Sequence, residues 1–116
     1  MLPKADKDLP ATVYHDLIDN ATDAVDLPVM AVVTDDIRVQ QVRLYYRVAG
    51  AAAYISLPME ETANHAYTAV IPASAVTPLA LEYYVQARDS KHTITTVGSA
   101  ASPIFVVVQP RTLGTP

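Results

Sequence analysis

The sequence predicts an all-β sandwich of about seven antiparallel strands. Three observations carry that expectation. Residues 39–48 and 79–88 alternate apolar and polar side chains with a period of two, the mark of a strand with one buried and one wet face. Short β-branched and aromatic runs recur along the chain, divided by Pro, Gly, Asp and Asn at roughly 8–12-residue intervals. No window places apolar residues at helical spacing, and the best helical candidate, residues 72–76, is at most a single turn.

Taken in order, residues 1–10 are polar, contain Pro3 and Pro10, and read as an N-terminal linker. The domain proper is expected over residues 11–109. Residues 11–18 form a first, edge strand with Val13, His15 and Leu17 on one face. Residues 19–23, rich in Asp and Asn, carry turn chemistry. A second strand, 25–33, turns Leu27, Val29, Ala31 and Val33 inward, with Pro28 demanding an edge, a bulge or a strand start.

The central strand, 39–48, points Val42, Leu44, Tyr46 and Val48 inward and Gln41, Arg43, Tyr45 and Arg47 outward. Residues 54–59 form a short strand stopped at Pro58, 60–64 a polar turn, and 65–71 a strand with Tyr67, Ala69 and Ile71 on one face. After a loop over 72–78, residues 79–88 repeat the central pattern. Leu79, Leu81, Tyr83, Val85 and Ala87 face in, and Glu82, Tyr84, Gln86 and Arg88 face out. A loop at 88–92 leads to strands over 93–97 and 104–108, separated by Gly98 and Pro103. Residues 110–116 read as a C-terminal linker.

The totals narrow the function classes. The chain of 116 residues suits one domain. No apolar run approaches the ~18–20 residues of a membrane-spanning helix. Net charge is −4, and the eight Lys and Arg are spread from Lys4 to Arg111. Without a clustered basic stripe, nucleic acid is not an expected partner. The absence of cysteine excludes disulfides, thiol catalysis and cysteine-bound metals. The opening Met1-Leu2-Pro3-Lys4 lacks the apolar core of a signal peptide. The nine prolines and ragged ends favour a module from a longer chain.

The ordered set Val32-Val33-Thr34-Asp35-Asp36, Leu44-Tyr45-Tyr46-Arg47, Leu57-Pro58-Met59, 67–73 and 81–89 resembles bacterial immunoglobulin-like, fibronectin-type-III-like modules of secreted and surface proteins. The resemblance spans about residues 10–109 and implies a Greek-key immunoglobulin-like sandwich. It implies a non-catalytic structural, spacer or protein-interaction module of a larger exported bacterial protein. The location would be extracellular, at the cell surface or periplasmic. Its partners would be neighbouring domains and a protein or polysaccharide ligand. The second reading is a carbohydrate-binding accessory module of a secreted hydrolase. Two loops depart from the pattern, because Ser90-Lys91-His92-Thr93 and Asp23-Ala24-Val25-Asp26 stand where the family carries glycine. Tryptophan is absent, so Tyr46 or Tyr83 is expected to supply its bulk.

Candidate chemistry is sparse. The carboxylate groups Asp35/Asp36, Glu60/Glu61 and Asp23/Asp26 fall at expected turns, where water keeps carboxylates ionised, so acid–base catalysis is not expected. Asp35, Asp36 and Asp89 lie at strand ends that share one pole, an arrangement of loop oxygens that would suit calcium. The competing role for them is turn formation and capping, and no cofactor is expected. His15, His65 and His92 sit on separate elements, unlike a zinc site. Ser90, His92 and Asp89 are neighbours in one loop, without a nucleophile elbow.

The tyrosines are the most informative group. Tyr46 and Tyr83 belong to the core, with Tyr83 a candidate loop anchor of the tyrosine-corner type. Tyr45 and Tyr84 are expected side by side on an exposed face, ringed by Arg43, Arg47 and Arg88. Tyr and Arg are the residues of binding hot spots. Cross-strand pairing, with arginines lying over tyrosine faces, is the plainer role for the same residues.

Overall fold

A computed structural model describes residues 12–34 and 39–110. The expected linker at 1–10, all of the expected linker at 110–116 except Pro110, and Asp35 and Asp36 lie outside the described residues. The chain is all-β, in two sheets. Its strands are β1 (Thr12–Tyr14), β2 (Asn20–Thr22), β3 (Leu27–Thr34), β4 (Val39–Val48), β5 (Ile55–Pro58), β6 (Glu60–Ala63), β7 (Ala66–Ile71), β8 (Ala80–Asp89), β9 (Ile94–Val97) and β10 (Ile104–Gln109). A single 3-10 turn, Ala73–Ala75, precedes β8. One sheet runs β1-β3-β7-β6. The other runs β2-β10-β8-β4-β5, with β9 also paired to β8. Among the described residues, no helix is long and apolar enough to cross a membrane.

The alternation read from the sequence sets the core. Val29, Ala31, Val33 and Ile71 enter from the four-stranded sheet. Val42, Leu44, Tyr46, Leu81, Tyr83, Val85, Ala87, Val106 and Val108 enter from the six-stranded sheet. They form one contiguous cluster. Tyr46 is 4% exposed and Tyr83 0%, so both tyrosines belong to the core. Pro28 is the second residue of β3, at the strand start, and β1 pairs only with Val32, Val33 and Thr34.

Several expectations need correction. Alternation points Val48 and Leu79 inward, yet Val48 is 37% and Leu79 84% exposed. Val48 ends β4 beside the Gly50 turn, and Leu79 precedes β8. Each is the terminal member of its periodic run, beyond the reach of the opposite sheet. Leu17 is also exposed, because the first strand stops at Tyr14.

The described residues hold ten strands where the sequence marks eight stretches and a sandwich of about seven, and not all pairs are antiparallel. The two additional strands come from stretches read as turns. Residues 20–22 run parallel to β10, with Asn20 opposite Val107 and Thr22 opposite Gln109. Residues 60–63 pair antiparallel with β7. Both segments are short and largely solvent-facing, and distant chain supplies their hydrogen bonds. Propensity is weak evidence at such edges.

Both places are also points where the chain changes sheets, as it does again between β2 and β3, β3 and β4, and β7 and β8. β1 pairs with β3, then β2 pairs with β10. β5 pairs with β4, then β6 pairs with β7. Buried Met59 is the pivot of the second switch, and its N–H donates to the Val42 carbonyl at 2.8 Å. Both loops that lack the family's glycine place another residue in the left-handed region: Ala24 has φ 61° and His92 φ 68°.

Tyr46 and Tyr45 provide the register test. Tyr46→Ala should lower unfolding free energy by about 3–5 kcal/mol in urea denaturation, as for other buried aromatics. Tyr45→Ala should cost clearly less and leave the domain folded. The opposite ranking would require a register shifted by one residue.

Candidate functional site

The outward faces of β4 and β8 bring together all five residues singled out in the sequence for binding. Tyr45 lies opposite Tyr84, Arg43 opposite Gln86, Arg47 opposite Glu82 and Gln41 opposite Arg88. This follows from pairing two strands that carry the same alternation. The face is half-buried rather than freely exposed. The Tyr45 and Tyr84 rings stack, with centroids 4.6 Å apart and planes 8° from parallel. Tyr54, on the approach to β5, meets Tyr84 edge-on at 5.0 Å. The Arg47 guanidinium covers Tyr54 at 4.3 Å, not Tyr45 or Tyr84. Such stacked and cation–π contacts stabilise the face itself.

The three arginines differ in what they meet. Arg47 Nε donates to Glu82 Oε1 at 2.7 Å, a charge-assisted bond that raises the Arg47 pKa. Arg43 donates from Nε and Nη2 to the Ser56 hydroxyl at 2.9 and 2.6 Å. Arg88 Nη2 reaches Gln41 Oε1 at 3.4 Å. Gln41, Arg43, Tyr45, Gln86, Arg88 and Ile94 line a notch of about 80 Å³. On the other side of the tyrosines, the loop after Gly98 closes over Tyr84. A Cβ at Gly98 would stand 3.1 Å from Tyr84 Cβ, and Tyr54 donates to the Ala100 carbonyl at 3.0 Å.

Asp89 is fully buried at the end of β8. Its Oδ1 accepts the backbone N–H groups of Lys91 and Thr93 at 2.8 and 3.0 Å, which shapes the β8–β9 loop. The register sets Asp89 opposite Val39, so the start of β4 does lie at that pole. Among the described residues, no three His, Cys, Asp or Glu are grouped as for a metal ion. Glu60 and Glu61 lie on edge strand β6, exposed, rather than in a turn.

Two features escaped the sequence reading. The first is the segment that the expected anchor, the Tyr83 hydroxyl, holds. The hydroxyl bonds His15 Nε2 at 2.5 Å and accepts the Ile18 N–H at 3.1 Å. His15 Nδ1 lies 2.7 Å from the Met30 carbonyl, which can only accept. Nδ1 therefore carries the hydrogen, Nε2 accepts from Tyr83, and each polar atom is satisfied. The tyrosine does anchor a loop, but the segment it holds is the β1–β2 switch, 65 residues away in sequence. No local pattern announces such a partner.

The second is an apolar groove of about 210 Å³ on the outer face of the four-stranded sheet, lined by Tyr14, Ile18, Pro28, Met30 and Val32 among others. Its signal was present in the sequence, since Pro28, Met30 and Val32 make the outward positions of β3 as apolar as the inward ones.

No protein-family model and no curated protein matches the chain. Among solved structures, an engineered protein from a structural genomics programme is similar over 85% of this chain and 20% of its own. The TM-score is 0.62 and the identity 15%. An endo-β-1,4-mannanase from Thermotoga petrophila is similar over 93% of this chain and 22% of its own, with TM-score 0.65 and 11% identity. At these identities the likeness is one of fold. The chain spans about one fifth of the length of each.

Two outcomes follow for the tyrosines. Tyr83→Phe removes the partner of Ile18 and His15 and should cost about 1–3 kcal/mol, with faster hydrogen exchange at the Ile18 amide. Burial raises the pKa of Tyr83, against the opposing Ile18 hydrogen bond. It also raises that of Tyr84, which Tyr45 and Tyr54 push further up, and that of Tyr67. An unfolded tyrosine ionises near pH ~10. The folded state then holds its protons more tightly, so this stabilisation is complete below pH ~10 and is lost as pH rises through the folded values. Denaturant midpoints should fall steadily above pH ~10, and tyrosinate absorbance should appear together with unfolding.

Proposed function

We propose that the chain is an immunoglobulin-like, fibronectin-type-III-like module, non-catalytic, with a structural, spacer or protein-interaction role in a larger exported bacterial protein. The observation that carries this reading is the strand order. β1-β3-β7-β6 follows the A-B-E-D order of such sandwiches. The neighbours β4, β8 and the β9/β10 pair are compatible with the C, F and G positions of the other sheet, with β5 added beside β4, and this order supports the reading. The split first strand supplies an edge to both sheets. Likeness to about one fifth of two longer chains supports a modular role. Exported, surface or periplasmic location rests on the family resemblance alone. Calcium at Asp35, Asp36 and Asp89 stays a separate proposal: Asp89 gives Oδ1 to its own loop, and Asp35 and Asp36 lie outside the described residues.

The second reading is a carbohydrate-binding accessory module of a secreted hydrolase, favoured by the likeness to part of a mannanase chain. Against it stands the stacking of Tyr45 on Tyr84. Each ring spends one face on the other, and a sugar platform needs open faces. Titration with mannan and cellulose oligosaccharides separates the two, with tyrosine fluorescence and amide shifts as readout. The structural reading expects no saturable change at millimolar sugar. Saturable shifts on the β4–β8 face would replace it with the accessory-module reading.

A further inference from the structure

We infer that the notch beside Tyr45 is a carboxylate-accepting anchor point for an acidic segment of a protein partner. The inference rests on the interaction-module reading and names the chemistry of the partner. Its first ground is charge placement. The chain carries −4 overall, yet of its four described cationic side chains three, Arg43, Arg47 and Arg88, stand on one sheet face. Glu82 neutralises Arg47. Arg43 and Arg88 have only neutral partners among the described residues, a serine hydroxyl and a glutamine carbonyl. Arg88 Nε is buried with no acceptor among them. Two half-buried guanidiniums without a counter-ion among the described residues are costly to hold, and an incoming carboxylate relieves that cost through paired N–H···O bonds.

The second ground is the shape and lining of the notch. Its volume of about 80 Å³ suits a side-chain carboxylate rather than a whole sugar ring. Gln41 and Gln86 add amide donors, and Tyr45 and the half-exposed Ile94 give an apolar wall. Phe105, on the same sheet face beyond Glu82, is also half-exposed. Arginine anchors with an apolar and aromatic surround make up a protein-binding hot spot. A polysaccharide is the weaker fit because the tyrosine faces are turned on each other.

The test is fluorescence anisotropy of a labelled peptide of alternating Glu and Gly at low salt, beside its Gln–Gly counterpart. The competitor is oligogalacturonate, which carries carboxylates on sugar. The expected result is saturable binding of the Glu peptide only, weakened by added salt. Arg43→Gln should reduce it roughly tenfold, the loss of one charge-assisted contact. Arg47→Gln should change it little. Arg88→Gln should resemble Arg43→Gln. If that variant unfolds by its amide spectrum, Arg43→Gln alone decides. Equal affinity for the Gln peptide, no effect of Arg43→Gln, tighter binding of oligogalacturonate, or no binding at millimolar peptide would each overturn the inference. Absence of binding, with no response to neutral polysaccharides, would leave the spacer reading standing.

Discussion

The antiparallel ladder between β4 and β8 is the constraint on which the rest of the molecule depends. It runs from Val39 opposite Asp89 to Val48 opposite Leu81. Because side chains alternate with a period of two, this register decides two surfaces at once. One is the core layer of Val42, Leu44, Tyr46, Leu81, Tyr83, Val85 and Ala87. The other is the outer layer of arginines, glutamines and tyrosines. A slip of one residue would bury Arg43 and Arg47 and expose Tyr46. The cost of burying unpaired charge makes the register strongly determined.

The ladder would still leave an open sandwich if the chain did not cross between sheets. Two of its crossings, the β1–β2 segment and Met59, are held by buried side chains. Tyr83 links the first of them to the ladder, since its ring lies in the core while its hydroxyl holds His15 and Ile18. A buried phenol needs a partner. The segment that satisfies it is thereby fixed in place, and the six-stranded sheet gains β2 as an edge.

The outer face shows how far reasoning from residues reached. Alternation placed Tyr45, Tyr84 and the three arginines on one face, and the cross-strand register brought them together. It did not distinguish the arginines. Their rotamers depend on Ser56, Glu82, Tyr54 and Gln41, which lie on other strands or turns. The expected openness of the tyrosines also gave way to stacking, because two rings directly opposite in a ladder are close enough to cover each other. The apolar groove beside Met30 was legible in the outward positions of β3, yet alternation alone reads only which face is inward.

The sequence by itself determined the class of fold, the inward and outward faces of the long strands, the turn at 73–75 and the equivalence of the two Tyr-Tyr strands. These follow from periodicity, a local property that survives in any compact arrangement burying the apolar set. The tertiary structure decided the rest. It made strands of residues 20–22 and 60–63, set β2 parallel to β10, exposed Val48 and Leu79, and chose Ile18 and His15 as partners of Tyr83. Each of these outcomes turns on hydrogen-bonding groups supplied by chain far away in sequence, or on where the opposing sheet ends. Neither quantity is encoded in the local pattern of the residues concerned.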